Sequence, residues 1–187
     1  MKFQFPIRSI WRRFPCLSML SLVVIAPLGS RLAAPAAWAR PAKKETPQWP
    51  KLQAPETIKA LQYLLLAREF HVVVDGKFGA QTRREVANFQ RSRGLKADGV
   101  VGAQTWKALV VPVKKGDHGN FVRAAQYLVG NYLGSGEIAV NPTGSFDANT
   151  EKGIKTFQKD YGLKADGLVG PTTWRWLLAS SKPDWWD

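Results

Sequence analysis

Cysteine is almost absent: the 187 residues hold one, Cys16. It follows Phe14-Pro15 and precedes an apolar run, so it reads as incidental, and the rest of the chain has no disulfide, thiol nucleophile or cysteine-based metal site. Histidine is nearly as scarce. His71 and His118 stand far apart and outside any H-E-x-x-H or H-x-x-E-H spacing, which argues against a zinc site of three protein ligands. No G-x-S-x-G elbow is written, so nothing marks a hydrolase-type serine nucleophile. Acidic residues are few, 14 against 27 Lys and Arg. The best carboxylate pair for general acid and base work is Asp98 with Asp166. Each lies in Ala-Asp-Gly, a turn dipeptide in which Asp bonds its own backbone. The expectation is a protein that is not an enzyme, with no catalytic residues, no metal and no cofactor.

Long apolar runs are also lacking. The most apolar stretch, Leu17–Leu28, is about twelve residues, short of the ~20 that a spanning helix needs. It follows a basic start (Lys2, Arg8, Arg12, Arg13) and precedes Ala37-Trp38-Ala39, the layout of a secretory signal peptide over 1–39. The alternative for this segment is an uncleaved membrane anchor. Export to the periplasm or cell wall is therefore expected, with no stable membrane span after cleavage. Removal of five basic residues with this segment leaves 22 basic and 14 acidic residues, a formal +8. Such a protein is drawn to anionic surfaces.

What the chain does have is a repeat. Residues 75–106 return as 143–174 at an offset of 68, with 16 of 32 positions identical and Gly94-Leu95-Lys96-Ala97-Asp98-Gly99 recurring whole. A fixed period marks a repeated structural unit. Residues 40–51 read as a flexible Pro- and Lys-rich linker, 52–111 as the first unit, 114–180 as the second and 181–187 as a tail.

Three helical patterns occur in each unit. Ile58, Leu61, Leu64 and Leu65 form an apolar stripe matched by Val122, Ala125, Leu128 and Val129. Val86 and Phe89 answer to Ile154 and Phe157, and Trp106 with Leu109 to Trp174 with Leu177. The starts agree: Gly79, Gly102, Asp147 and Gly170 each precede a Thr at the third helical position, and Pro55 and Pro171 fall at the first. The predicted fold is all-α: two tandem orthogonal three-helix bundles with short β-like loop segments at Phe70–Val74 and Ile138–Val140. The first helices align at an offset of 64, so the second unit has four extra residues in the loop through Gly134-Ser135-Gly136-Glu137.

The series Lys115-Gly116-Asp117, Gln126, Gly144-x-Phe146-Asp147, Thr150, Phe157-Gln158, Gly162-Leu163 and Asp166-Gly167-x-Val169-Gly170-Pro171-x-Thr173-Trp174 resembles the peptidoglycan-binding-like domain family. The first unit matches through Asp75-Gly76-x-Phe78-Gly79-x-x-Thr82, Phe89-Gln90 and Asp98-Gly99-x-Val101-Gly102-x-x-Thr105-Trp106, and departs at its start, at Gln53-Ala54-Pro55-Glu56. The resemblance implies an exported, non-catalytic module that binds cell-wall peptidoglycan, through its glycan strand or its stem peptide. Family members usually accompany a catalytic domain. A second reading is therefore an adaptor that holds a separate wall hydrolase or other envelope protein. Binding of anionic polymers by charge alone is a third, and no basic stripe interleaved with aromatics points to nucleic acid.

The expected ligand site is a shallow groove in each unit, beside the first helix and the loop leading to Asp75 or Thr143. The repeated Gln62-Tyr63 and Gln126-Tyr127 motivate it, since Tyr stacks on sugar faces and Gln pairs with amides at both ends. The alternative is that these glutamines tie down the neighbouring loop and the tyrosines are packing. Arg68, Arg83 and Arg84 are candidates for peptide carboxylates, or a solvated helix face. Trp176, Trp185 and Trp186 have no counterpart in the first unit, and form either a stacking platform or a tail folded back. Gln90 and Gln158 are read as structural.

Overall fold

Four of the six described helices begin alike because their starts are built alike. In a computed structural model that describes residues 46–52, 54–134 and 138–180, Gly79, Gly102, Asp147 and Gly170 each hold extended backbone near ψ 180° and open a helix. The helices are α1 Pro55–Leu66, α2 Ala80–Ser92, α3 Ala103–Leu109, α4 Asn120–Leu133, α5 Ala148–Asp160 and α6 Pro171–Ala179. Pro55 and Pro171 stand at the first position, where a missing N–H costs nothing. Asp147 caps α5, its Oδ1 accepting from Thr150 N at 2.7 Å. Residues 1–45, Gln53, 135–137 and 181–187 lie outside the described residues, and with them the signal segment, Cys16, Trp185 and Trp186.

Helices α2 and α5 end in the same way. Leu95 N–H donates to Gln90 O at 2.9 Å and Leu163 N–H to Gln158 O at 2.7 Å, closing the turn around Gly94 and Gly162, whose φ values are 65° and 67°. This is the αL stop with an apolar residue just beyond it. α1 stops likewise, with Phe70 N–H on Leu65 O at 3.0 Å, but the αL position is taken by Glu69 at φ 67°.

The expected all-α class holds. Among the described residues no strand forms: Phe70–Val74 joins no ladder, and two isolated bridges pair Val113 with Val169 and His118 with Ser145. The described end of the inserted loop, Ile138–Val140, packs on the second repeat, Val140 meeting α4 at Gly130 and α5 at Gly153. A Cβ at Gly153 would stand 2.8 Å from Val140 Cγ2 and 3.1 Å from Leu133 Cδ1, so the loop's approach depends on that glycine.

Each repeat buries the expected stripes, with Trp106, Trp174, Phe89 and Phe157 fully enclosed. The cores merge into one apolar cluster, and the main contact between repeats is α1 against α4. Ala60 and Ala124, at equivalent positions, are wholly buried. Ala60 lies one turn before Tyr63, which meets Tyr127 at a ring-centroid distance of 6.1 Å. Small residues beside an aromatic pair let the two helices approach closely.

Within residues 46–50, expected as part of a flexible linker, Trp49 and Pro50 are half-buried and held. Trp49 rests on the core with the Arg175 guanidinium 5.1 Å above its ring, and Trp106 Nε1 donates to Pro50 O at 3.0 Å. Trp174 Nε1 makes the matching bond to Val111 O at 2.6 Å. In both repeats the third helix's Trp thus fixes the segment that leads in.

Candidate functional site

The loops that shape the surface are held by one device used four times. Gln62 is fully buried in α1; its Oε1 accepts Gly76 N–H at 2.9 Å, and its Nε2 lies 2.8 Å from Asp75 Oδ1, 3.1 Å from Lys77 O and 3.3 Å from Thr82 Oγ1. Gln90 does the same for Gly99, Asp98, Val100 O and Thr105. Gln126 serves Gly144, Thr143, Ser145 O and Thr150, and Gln158 serves Gly167, Asp166, Leu168 O and Thr173. One amide satisfies a buried turn N–H and ties a carbonyl and the Thr inside the next helix to the same turn.

Gln62 and Gln126 therefore sit beneath the surface with both ends of the amide engaged. Asp75 is exposed, but its Oδ1 is shared between Gln62 and Lys77 N–H, and these bonds, the Gln62 amide foremost, hold its carboxyl below the ordinary range. Tyr63 and Tyr127 are half-buried and turned on each other at the α1–α4 seam, with Lys59 Nζ 5.7 Å from the Tyr127 ring. Arg68 closes the end of α3, its Nη2 donating to Ala108 O and Leu109 O at 3.0 Å while its guanidinium lies 5.0 Å over Phe121 of the other repeat. Trp176 is 8% exposed and is not a surface platform; it packs 4.8 Å from Tyr161, and Tyr161 is the ring that reaches the surface beside it. None of these seven residues lines the cleft that each repeat forms between its second and third helix.

What the fold brings together is a cleft at the turn between the second and third helix of each repeat. The second repeat's is about 440 Å³ and is lined by Gln158, Leu163, Lys164, Asp166, Gly170 and Thr173. The first repeat's is about 290 Å³ and is lined by Gln90, Leu95, Lys96, Asp98, Gly102 and Thr105, the same positions 68 residues earlier. The turn carboxylates are held low, by Val100 N–H and then Gln90 for Asp98, and by Leu168 N–H and then Gln158 for Asp166. Among the described residues no group of three or more His, Cys, Asp or Glu is placed to ligate a metal ion.

The family described as "Putative peptidoglycan binding domain" matches twice, over residues 55–109 and 118–177, which is more than half of the chain. The chain belongs to this family. The two peptidoglycan-binding domains coincide with the two repeats and contain both clefts. The chain is 29% identical over 151 residues to a protein named probable N-acetylmuramoyl-L-alanine amidase from Bacillus licheniformis, covering 67% of this chain and 43% of that one. It is 32% identical over 113 residues to the N-acetylmuramoyl-L-alanine amidase CwlM of Mycobacterium tuberculosis, covering 54% and 27%. A third relative is the zinc D-Ala-D-Ala carboxypeptidase of Streptomyces albus G, 37% identical over 73 residues, 38% of this chain and 27% of that one. The chain spans less than half the length of these relatives. No solved structure matches significantly.

The two domains' clefts differ at the rim. Tyr161 lines the second, backed by Phe157 at 4.6 Å and Trp176 at 4.8 Å, where the first domain has Arg93. Thr46, from the lead-in, adds to the wall of the second alone.

The sequence spelled out these clefts in its repeated Leu-Lys-Ala-Asp-Gly, which reads there as turn chemistry only. The sequence also carries a motif within each repeat. Asp75-Gly-x-Phe-Gly-Ala-x-Thr82, Asp98-Gly-x-Val-Gly-Ala-x-Thr105, Thr143-Gly-x-Phe-Asp-Ala-x-Thr150 and Asp166-Gly-x-Val-Gly-Pro-x-Thr173 are one motif written four times, each served by one Gln.

Proposed function

We propose that the protein is an exported, non-catalytic binder of bacterial peptidoglycan that holds the wall through its two domains. The observation that carries this reading is the coincidence of the two family matches with a cleft that recurs in the same register. The contacts with the wall fall at these clefts, and Gln62, Gln126 and Asp75 serve by fixing the loop that leads into the second helix of each domain. The basic start, apolar run and Ala37-Trp38-Ala39 support export and an extracytoplasmic place of action. Among the described residues no helix is long and apolar enough to cross a membrane. The names of the relatives, all cell-wall hydrolases, favour a second reading in which the domains bring a separate hydrolase to the wall.

The test is co-sedimentation with purified insoluble peptidoglycan at low salt and at about 0.5 M salt, where exposed charges are screened. Retention at both is expected for a cleft. Loss at high salt assigns the holding to net positive charge, and absence from the pellet at both rejects wall binding.

A further inference from the structure

Both clefts carry the same pair of opposite charges at the rim. Lys96 Nζ stands 3.6 Å from Asp98 Oδ2, and Lys164 Nζ stands 3.7 Å from Asp166 Oδ2. The other carboxylate oxygen is spent on the fold: Oδ1 accepts Val100 N–H or Leu168 N–H at 2.9 Å and also meets the clamp glutamine. The turn therefore fixes each carboxylate with Oδ2 towards the lysine. The lysine has no comparable structural duty, since both side chains are 88% exposed. Exposed helix positions differ between the repeats, as at Gln81/Asn149, Arg84/Lys152 and Gln104/Thr172, whereas Lys and Asp are the same in both.

An exposed ion pair at this separation is worth about 0–1 kcal/mol, so a ligand opens it at little cost. A ligand that replaces both partners must bring a carboxylate for the lysine and an ammonium for the aspartate. A polyanion meets the fixed Asp oxygen with its own negative charge. A sugar ring finds no aromatic among the residues lining the first cleft. Just beyond the turn glycine, Val100 is 61% and Leu168 38% exposed, an apolar edge suited to the short aliphatic parts of a peptide.

We propose that each cleft binds the zwitterionic end of a peptidoglycan stem peptide, an unacylated amino-carboxylate centre such as the free end of a diamino acid. Lys96 or Lys164 takes its carboxylate and Asp98 or Asp166 its ammonium. This rests on the wall-binding reading above and adds a selectivity to it. Cross-linking acylates that amine and removes its charge, so the clefts favour stems that are not cross-linked.

The full chain is titrated with L-alanyl-γ-D-glutamyl-meso-diaminopimelate and with the same tripeptide acetylated at its free diaminopimelate amine, by calorimetry and by amide NMR. The free peptide is expected to move the amides of Gly99, Val100, Gly167 and Leu168 and to bind roughly tenfold or more tightly than the acetylated one, the loss expected for one charge-assisted contact. Lys96→Met with Lys164→Met, at exposed positions where folding is checked by melting, is expected to abolish binding of the free peptide. Equal affinity for the two peptides, including none for either, overturns the assignment, as does unchanged binding in the double variant. Continued sedimentation with insoluble peptidoglycan in those cases leaves the wall-binding reading standing, while loss of sedimentation by the unmodified protein removes both.

Discussion

Tyr63 of α1 and Tyr127 of α4, equivalent residues of the two repeats, face each other with ring centroids 6.1 Å apart and planes tilted by 54°. The pair sits where the main contact between repeats is made, so its first consequence is for stability. Tyr63→Ala is expected to cost roughly 1–2 kcal/mol, and a double-mutant cycle with Tyr127→Ala to return a coupling of about 0.5–1.5 kcal/mol. Urea unfolding of the four proteins measures both. Strict additivity would show that the rings merely lie near one another.

The buried glutamines predict larger losses. Gln158→Ala strips the buried Gly167 N–H of its partner and leaves Leu168 O and Thr173 Oγ1 only their bond to each other. An unsatisfied buried polar group costs about 1–3 kcal/mol, so a loss of about 2–4 kcal/mol is expected once the cavity is included. Hydrogen exchange at Gly167 checks the cause, because that amide should lose its protection before the amides of α5. A change below about 0.5 kcal/mol would mean the clamp is not what orders the turn.

The fold was legible because its signals are local and repeated. Caps at Gly79, Gly102, Asp147 and Gly170, the two helix-opening prolines and the apolar stripes each fix a helix without reference to the rest of the chain. The placement of site residues was not legible for the opposite reason. Tyr63 stacks on a residue 64 positions away, across a contact that no spacing within one helix encodes. In the sequence Gln62 and Gln126 read either as ligand contacts or as ties for the neighbouring loop, and the two roles separate only when the loop closes over the glutamine. Residues 46–50 carry no periodicity, yet the indole of Trp106 draws Pro50 in from 56 residues away.

The four turn and cap carboxylates make stability depend on acid. Asp75, Asp98, Asp147 and Asp166 are all held below the ordinary Asp value when folded, by Gln62 first for Asp75 and by the backbone N–H groups of Val100, Thr150 and Leu168 first for the others. A folded pKa below the unfolded one gives stability that is fully present above the unfolded value, about 3.9, and is lost as pH falls through the folded value. Thermal melts should therefore change little through these groups between about pH 7 and 5 and fall steeply below about 4. Asp98→Asn with Asp166→Asn should flatten the acid limb, since the amide oxygen still accepts the turn N–H but no longer titrates. An acid limb unchanged in that variant would place the dependence on other groups.

Glu69 is a site where the sequence and the backbone disagree. It holds φ 67° at the end of α1, in the position that Gly94 and Gly162 fill at the ends of α2 and α5 with φ 65° and 67°. The same closing bond forms in all three turns, from Phe70, Leu95 and Leu163, so the geometry is demanded by the fold and not by the residue. An L side chain in this region costs about 1 kcal/mol through the Cβ, and glycine removes that strain while giving back part of the gain as unfolded-state freedom. Glu69→Gly is expected to stabilise the protein by roughly 0.5 kcal/mol, or a degree or two in melting temperature. The same change also removes a negative charge, so Glu69→Gln serves as the control: it should leave the midpoint where it was. A Glu69→Gly protein less stable than the Gln variant would show that the turn around Glu69 is relaxed, and that the Glu69 side chain contributes to holding it.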